Sequence, residues 1–301
     1  MNLTSLSDVR RTLQSLGVSP NRTLGQNFLI DRNILGILLD AAELSAQDQV
    51  LEVGPGLGVI TEQLLGQVKR VVAVEKDARL ARFLADRYGE DPTLCLIHAD
   101  ALDLDLAALL ASGINKVVSN LPYSSGTRIL VELATARAAP AVMVVSLQEE
   151  VARRLVASPG GKEFGALTVW LAVDYEIQPV KIVSPTCFWP RPEVSTVIVK
   201  MVKRASSRAA AEDKRFLYDL TRNVFLHRRK QLASILGRAP DVIGLSADDA
   251  AAALQALGID RKARPEELTV DQWCALARSI RMMKETPSII EASRPVIINV
   301  P

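Results

Sequence analysis

Cysteine, histidine and aromatic residues are scarce in this chain of 301 residues, which has three Cys, two His and only 4% Phe, Trp and Tyr. Cys95, Cys187 and Cys274 lie far apart without paired spacing. That excludes a disulfide framework and a Cys-ligated zinc site, and it suits a reducing, cytoplasmic setting. Each reads as a small buried apolar residue. His98 and His227 sit in no ligand or triad pattern, so neither a metal nor a Ser-His-Asp mechanism is expected. Long apolar runs are missing as well. Pro140–Leu147 is far too short to cross a bilayer and reads as a buried strand. The first thirty residues carry Asp8, Arg10, Arg11 and Arg22 and no apolar stretch with a cleavage site, so no secretory signal is expected.

What is present is ordinary for a globular protein, with 49% hydrophobic and 23% charged residues. The net charge of +2 conceals an asymmetry. Between Lys200 and Pro240 eleven Lys and Arg face three acids, an excess of eight, so the remainder is net negative by six. A basic block on a mildly acidic body is what a polyanion-binding surface requires. A solvated helix face has the same composition. The candidates for RNA contact are Arg222, Arg228, Arg229 and Lys230, with Arg222 and Arg229 seven residues apart and able to share a helical face.

From Gln49 to about Lys203, β-branched runs alternate with amphipathic segments, predicting an α/β fold with a parallel sheet covered by helices. Strands are expected at Val50–Val53, Arg70–Val74, Leu94–His98, Lys116–Ser119 and Ala141–Leu147. Leu167–Val173 and Thr196–Met201 are expected to close the sheet as an antiparallel pair. The Ala- and Ser-rich stretch after Lys203 reads as a linker, followed by helices over Arg215–Leu236, Ala247–Leu257 and Val270–Ile280. The expected organisation is a catalytic domain over 1–202, a small all-helical RNA-binding domain over 213–284 and a flexible tail over 285–301.

Glu52-Val53-Gly54-Pro55-Gly56-Leu57-Gly58 links a strand to a helix, where glycines allow a tight turn and close backbone approach to a ligand. Alone, this pattern leaves a dinucleotide site open. Glu75 ends the next strand, placed to accept hydrogen bonds from two ribose hydroxyls, and Asp100 follows the third, placed to meet an adenine amine. An exposed strand-end charge and a helix cap are the plainer explanations of the two. Their order at successive strand ends favours a nucleoside site, and S-adenosylmethionine over NAD because no pyrophosphate needs cradling.

Ser119-Asn120-Leu121-Pro122-Tyr123 ends the fourth of these strands. An exocyclic adenine nitrogen is a poor nucleophile because its lone pair is conjugated into the ring. The Asn120 side-chain oxygen and the Leu121 carbonyl suit its two hydrogens and would turn the lone pair toward a methyl donor. Pro122 fixes the turn without a competing donor, and Tyr123 offers a ring for a base taken out of its stack.

With these motifs in place, the stretch from Leu24 to Leu276 resembles the KsgA family of 16S ribosomal RNA adenine N6,N6-dimethyltransferases. Leu24-Gly25-Gln26-Asn27-Phe28-Leu29, the segment Ser146–Leu155, Gly160–Gly165, Phe188–Ser195, Phe225–Lys230 and Arg264–Leu268 are all similar to family segments. The resemblance implies a Rossmann-like class I methyltransferase sheet, with Asn27, Leu29, Gly54, Glu75, Asp100 and Asn120 contacting S-adenosylmethionine. It places Phe188 on the other face of the target base. It further implies a monomer acting on paired adenines near the 3′ end of small-subunit ribosomal RNA during subunit maturation. Ser119, where the family usually has Gly, and Ser124-Ser125-Gly126-Thr127-Arg128, in place of a more apolar run, depart from its pattern. A related enzyme acting on large-subunit RNA, which tends to carry Ile at the position of Leu121, and a non-catalytic assembly factor remain as alternatives.

Overall fold

The computed structural model describes residues 1–20, 25–238 and 245–285, so the Leu24 end of the first motif and nearly all of the expected tail lie outside the described residues. Two compact units result: Met1–Ser158 with Trp170–Ser207, and Pro159–Val169 with Arg208–Pro301. No helix among the described residues is long and apolar enough to cross a membrane.

In the first unit a helix, α1 (Leu6–Ser15), precedes a two-residue strand β1 (Phe28–Leu29) and α2 (Arg32–Ala42). The main sheet uses β2 (Gln49–Val53), β3 (Arg70–Glu75), β4 (Leu94–His98), β5 (Lys116–Asn120), β6 (Val142–Gln148), β7 (Tyr175–Val183) and β9 (Thr196–Lys203). Its order is β4-β3-β2-β5-β6-β9-β7. The first five strands are parallel, and β9 runs antiparallel between β6 and β7. Strand order reverses at β2, which places a crevice at the carboxyl ends of β2 and β5, where open α/β sheets bind ligands. Val50, Leu51, Val71, Val72, Ala73, Val117 and Val118 are fully buried, the continuous apolar pattern of parallel strands covered on both faces.

Helix α2 packs Leu38 and Ala42 on Val50, Val118, Val144 and Ile198. Asp31 caps its start by accepting from the amides of Asn33 and Ile34. At its end the Lys116 ammonium, 9% exposed, donates to the carbonyls of Ala42 and Glu43 at 2.9 and 2.5 Å and pairs with Asp48 at 3.0 Å. A cation there meets the negative end of the helix dipole.

Two sequence expectations fail for physical reasons. Leu167–Val173 is not a strand but the body of helix α8 (Ala166–Asp174), because a short continuous apolar run carries no period that distinguishes strand from helix. The true partner of β9 on that side is β7, which Pro179 disguises. As an edge strand β7 tolerates proline, at the cost of a register shift between Pro179 and Lys181. The expected helix Arg215–Leu236 is also two helices, α9 (Ala211–Phe225) and α10 (Leu232–Leu236). Arg229 therefore lies in the connecting turn and shares no helical face with Arg222.

The second unit assembles α9, α10, α11 (Ala247–Ala256) and α12 (Val270–Glu285). Leu217, Leu220 and Val224 of α9 and Trp273, Leu276, Ala277 and Ile280 of α12 are buried. Asp213, 3% exposed, pairs with Arg281 at 2.6 Å. Where the sequence reading kept all of 1–202 in one domain, Pro159–Val169 groups with the helices instead. Phe164 is 1% exposed and stands 6.3 Å from the ring of Phe225, which is 5.5 Å from that of Trp273. The Gly160 amide donates to the Glu266 carbonyl at 2.6 Å, and the Arg228 guanidinium donates to the Lys162 carbonyl at 2.7 Å. Truncating a buried ring costs about 3–5 kcal/mol. Phe164→Ala is accordingly expected to lower the urea midpoint of the helical unit, monitored by hydrogen exchange of α9 and α12, far more than that of the sheet.

Candidate active site

The turn after β2 holds Gly54, Gly56 and Gly58 at φ values of 72°, 63° and 87°. At Gly56 a side chain would be strained by this left-handed backbone and would stand 3.1 Å from the Phe28 ring. The Gly56 amide donates to Glu75 Oε2 at 3.0 Å, while Oε1 accepts from the Asp77 amide at 2.8 Å. Glu75 is 5% exposed, and burial raises its pKa above the ordinary carboxylate value against the pull of those amides. Each oxygen accepts from a backbone amide, and a carboxylate oxygen can take more than one donor.

Asp100 serves two local partners. Its Oδ1 accepts from the Leu102 amide at 3.0 Å, capping a short 3-10 turn, and its Oδ2 meets the Lys76 ammonium at 2.6 Å. The hydrogen bond from Lys76, then that from Leu102, holds its pKa below the ordinary value. An adenine amine at Asp100 must share these oxygens, a competition that the sequence did not reveal.

Asn120 ends β5, and its position is set from a loop far away in sequence. Its side-chain nitrogen donates to the Asn27 carbonyl at 2.9 Å. Its Oδ1 is buried with no hydrogen-bond partner. Buried acceptors are rarely left unmet, and this one belongs to a residue in the wall of a cavity. The loop carrying Asn27 can approach because Gly25, at φ 65°, has no Cβ; one would lie 2.7 Å from the Tyr123 amide nitrogen. The β1 strand pairs antiparallel with β8 (Phe188–Trp189), setting Leu29 opposite Phe188 and joining two distant motifs. Ser119, the departure from the family pattern, is fully buried and donates to the Val53 carbonyl on β2 at 2.6 Å.

These elements enclose a cavity of about 210 Å³. Asn27, Leu29, Gly54, Glu75, Asp100 and Asn120 all line it. Tyr123 and Phe188 do not, although Pro122, Ser124 and Ser125 do. The Tyr123 ring is half-buried, with its hydroxyl bonded to Thr196 on β9. Phe188 is 3% exposed within the apolar cluster of Leu29, Ile34 and Leu38. Leu121 is 1% exposed and anchors the loop from beneath. Sequence reasoning also overlooked Glu52, a cavity residue 1% exposed whose Oε2 accepts from the Thr61 hydroxyl at 2.7 Å. A charged residue inside an apolar strand was the available signal.

The four RNA candidates diverge. Arg228 is committed to Lys162 and lies 3.8 Å from Glu266, whereas Arg222, Arg229 and Lys230 are exposed. Beside the last two, Leu226 is 74% exposed.

A nucleoside-sized cavity at the switch point of a doubly wound sheet, closed by an Asn-Leu-Pro-Tyr loop, defines an S-adenosylmethionine-dependent methyltransferase acting on an amino nitrogen. The family model described as ribosomal RNA adenine dimethylase matches residues 17–281, and the chain belongs to that family. Ribosomal RNA small subunit methyltransferase A of Geobacillus thermodenitrificans is 38% identical over 90% of this chain and 94% of its own length. The protein of the same name from Geobacter metallireducens is 37% identical over 88% and 96%. The fold is shared with a dimethyladenosine transferase from Plasmodium falciparum, at a TM-score of 0.73 and 23% identity over 84% of this chain and 97% of that one. It is also shared with the 23S rRNA methyltransferase ErmE, at 0.64 and 23% over 85% and 100%.

Burial pushes the Glu52 carboxyl up to about 8 from an ordinary 4.5. Between those values the folded chain holds a proton that the unfolded chain has released, so stability falls as pH rises through the window. Glu52→Gln keeps an acceptor for Thr61 and removes this dependence, while Glu75 continues to contribute the same sign. The variant is expected to match the wild type near pH 4.5 and to exceed it by on the order of 2–4 kcal/mol at pH 7. Urea titrations across that range check both the slope and its direction.

Proposed function

We propose that this chain transfers two methyl groups from S-adenosylmethionine to the N6 amines of adjacent adenines near the 3′ end of small-subunit ribosomal RNA. It acts as a cytoplasmic monomer on the ribosomal subunit or its precursor. The observation that carries the chemistry is the buried, partnerless Oδ1 of Asn120 at the cavity wall. The names and near-complete coverage of the relatives support the choice of small-subunit RNA over large-subunit RNA.

When bound, the cofactor supplies an electrophilic methyl group on a sulfonium. The residues present fit it. Glu75 offers acceptors to the ribose hydroxyls, Asp100 one to the adenine amine, and the glycine turn leaves room for both. The Asn27 carbonyl fixes the Asn120 nitrogen, which turns the Asn120 oxygen toward the target amine. With the Leu121 carbonyl it holds the two N6 hydrogens in the first transfer and the one that remains in the second, so that the lone pair points at the methyl group; each transfer releases one N6 proton to solvent. Tyr123, its ring fixed through Thr196, supplies a stacking face for the flipped adenine, and Phe188 backs the site from β8. Hydrogen bonds that strengthen as the nitrogen becomes tetrahedral lower the barrier more than they hold substrate.

Single-turnover methylation of unmodified small subunits at saturating cofactor tests this directly. Asn120→Ala is expected to slow the step by about tenfold to a thousandfold while RNA affinity changes little. Tyr123→Ala should be severe. Tyr123→Phe keeps the ring but releases it from Thr196, so its loss falls between. Near-normal rates for both alanine variants, or preferential methylation of large subunits, would remove the assignment.

RNA grip is assigned to Arg222, Arg229 and Lys230, with Arg228 serving to hold Lys162. Arg229→Ala with Lys230→Ala is expected to flatten the log affinity against log salt slope by roughly 0.7–0.9 per lost phosphate contact. Arg228→Ala should leave that slope nearly unchanged and instead raise hydrogen exchange in residues 159–169. The reverse pattern would return Arg228 to the RNA surface.

A further inference from the structure

The family match begins at residue 17, yet helix α1, which precedes it, reaches the cofactor cavity. Leu3 and Val9, 3% and 1% exposed, line the same cavity as Gly54, Glu75 and Asp100. Behind them, Leu13 and Val18 pack with Leu57 of the glycine turn and Leu80 of α4 (Ala78–Tyr88), and Phe28 and Trp189 close the edges. The helix is fastened at two outer points. The Arg79 guanidinium donates to the Gly17 carbonyl at 2.5 Å, and that of Arg10 lies 5.4 Å over the Trp189 ring.

We propose that α1 and the turn before it form the outer wall of the cofactor site, with Leu3 and Val9 as further cofactor-contacting residues and Arg10 and Arg79 as positioning residues that hold the wall shut. The inference rests on reading the cavity as the S-adenosylmethionine site. An apolar wall keeps water from Glu75 and Asp100, and hydrogen bonds to a ligand strengthen as the local dielectric falls. Leu57 ties the two parts together, since its backbone belongs to the turn that shapes the cavity and its side chain to the cluster that seats α1. A ligand under this wall leaves slowly, because release requires the apolar face of α1 to separate from Leu57 and Leu80.

The test uses the full-length chain with S-adenosylmethionine as the probe and excess sinefungin as competitor in stopped-flow release. Val9→Asn is expected to weaken binding and speed release by roughly tenfold, the scale of replacing a buried aliphatic contact with a polar one. Arg10→Ala combined with Arg79→Ala leaves the apolar face intact and should speed release severalfold. In the wild type, saturation with the cofactor should slow hydrogen exchange of the Leu6–Ser15 amides. Should Val9→Asn fail to fold, judged by its melting curve without ligand, the double arginine variant and the exchange experiment decide. Unchanged release in the arginine variant together with α1 exchange indifferent to cofactor would overturn the proposal. A wild-type chain that binds no S-adenosylmethionine would overturn the cofactor reading itself, whereas tight binding indifferent to α1 would overturn only the role of the wall.

Discussion

A primary amide has a donor end and an acceptor end, and the Asn27 carbonyl fixes which way round that of Asn120 is held. The Asn27 carbonyl takes its nitrogen, so the oxygen alone is presented, and the enclosure leaves it without a partner. Much of the surrounding structure serves that one bond. β1 must lie beside β8, the Asn27 loop must pass within van der Waals reach of the Tyr123 amide, and Gly25 must lack a side chain for it to do so. β5 must end at Asn120, which its parallel register with β6 fixes. In the proposed reaction, a flip of the amide would set its NH2 against the target N6–H donors.

The carboxylates at the neighbouring strand ends show the opposite economy. Glu52 and Glu75 are almost wholly buried, and each is driven toward its protonated form by desolvation. Burying both carboxyls is a cost to folding that grows as pH rises and the charged form is enforced. Asp100 differs because Lys76 already compensates its charge.

Most of the sheet, and the residues that line the cavity, were legible because their signals are local: a β-branched run, a glycine turn, an acid at a strand end. Leu167–Val173 was misread because an unbroken apolar run has no period, and β7 was missed because Pro179 breaks the strand pattern only where an edge allows it. Helix α1 did carry a signal, with Val9, Leu13 and Leu16 at helical spacing. Nothing local, however, says that its apolar face meets Leu57 and Leu80. The Asn27–Asn120 bond spans 93 positions, and no pattern of neighbouring residues encodes it.

The basic block makes the same point about charge. Composition counts eleven cations between Lys200 and Pro240 as though each faced solvent. In the folded chain Lys200 meets Glu43, Arg204 meets Glu176, Arg208 meets Asp271 and Arg215 meets Asp219. Arg228 is turned onto the Lys162 carbonyl. A guanidinium paired with a carboxylate brings little net charge to a phosphate, which subtracts from the gain of neutralising the nucleic acid. The turn that breaks α9 from α10 escapes this compensation, because it projects Arg229 and Lys230 into solvent beside an exposed Leu226. The break in the helix, which the periodicity of the sequence concealed, is thus what places two exposed cations beside an exposed apolar side chain.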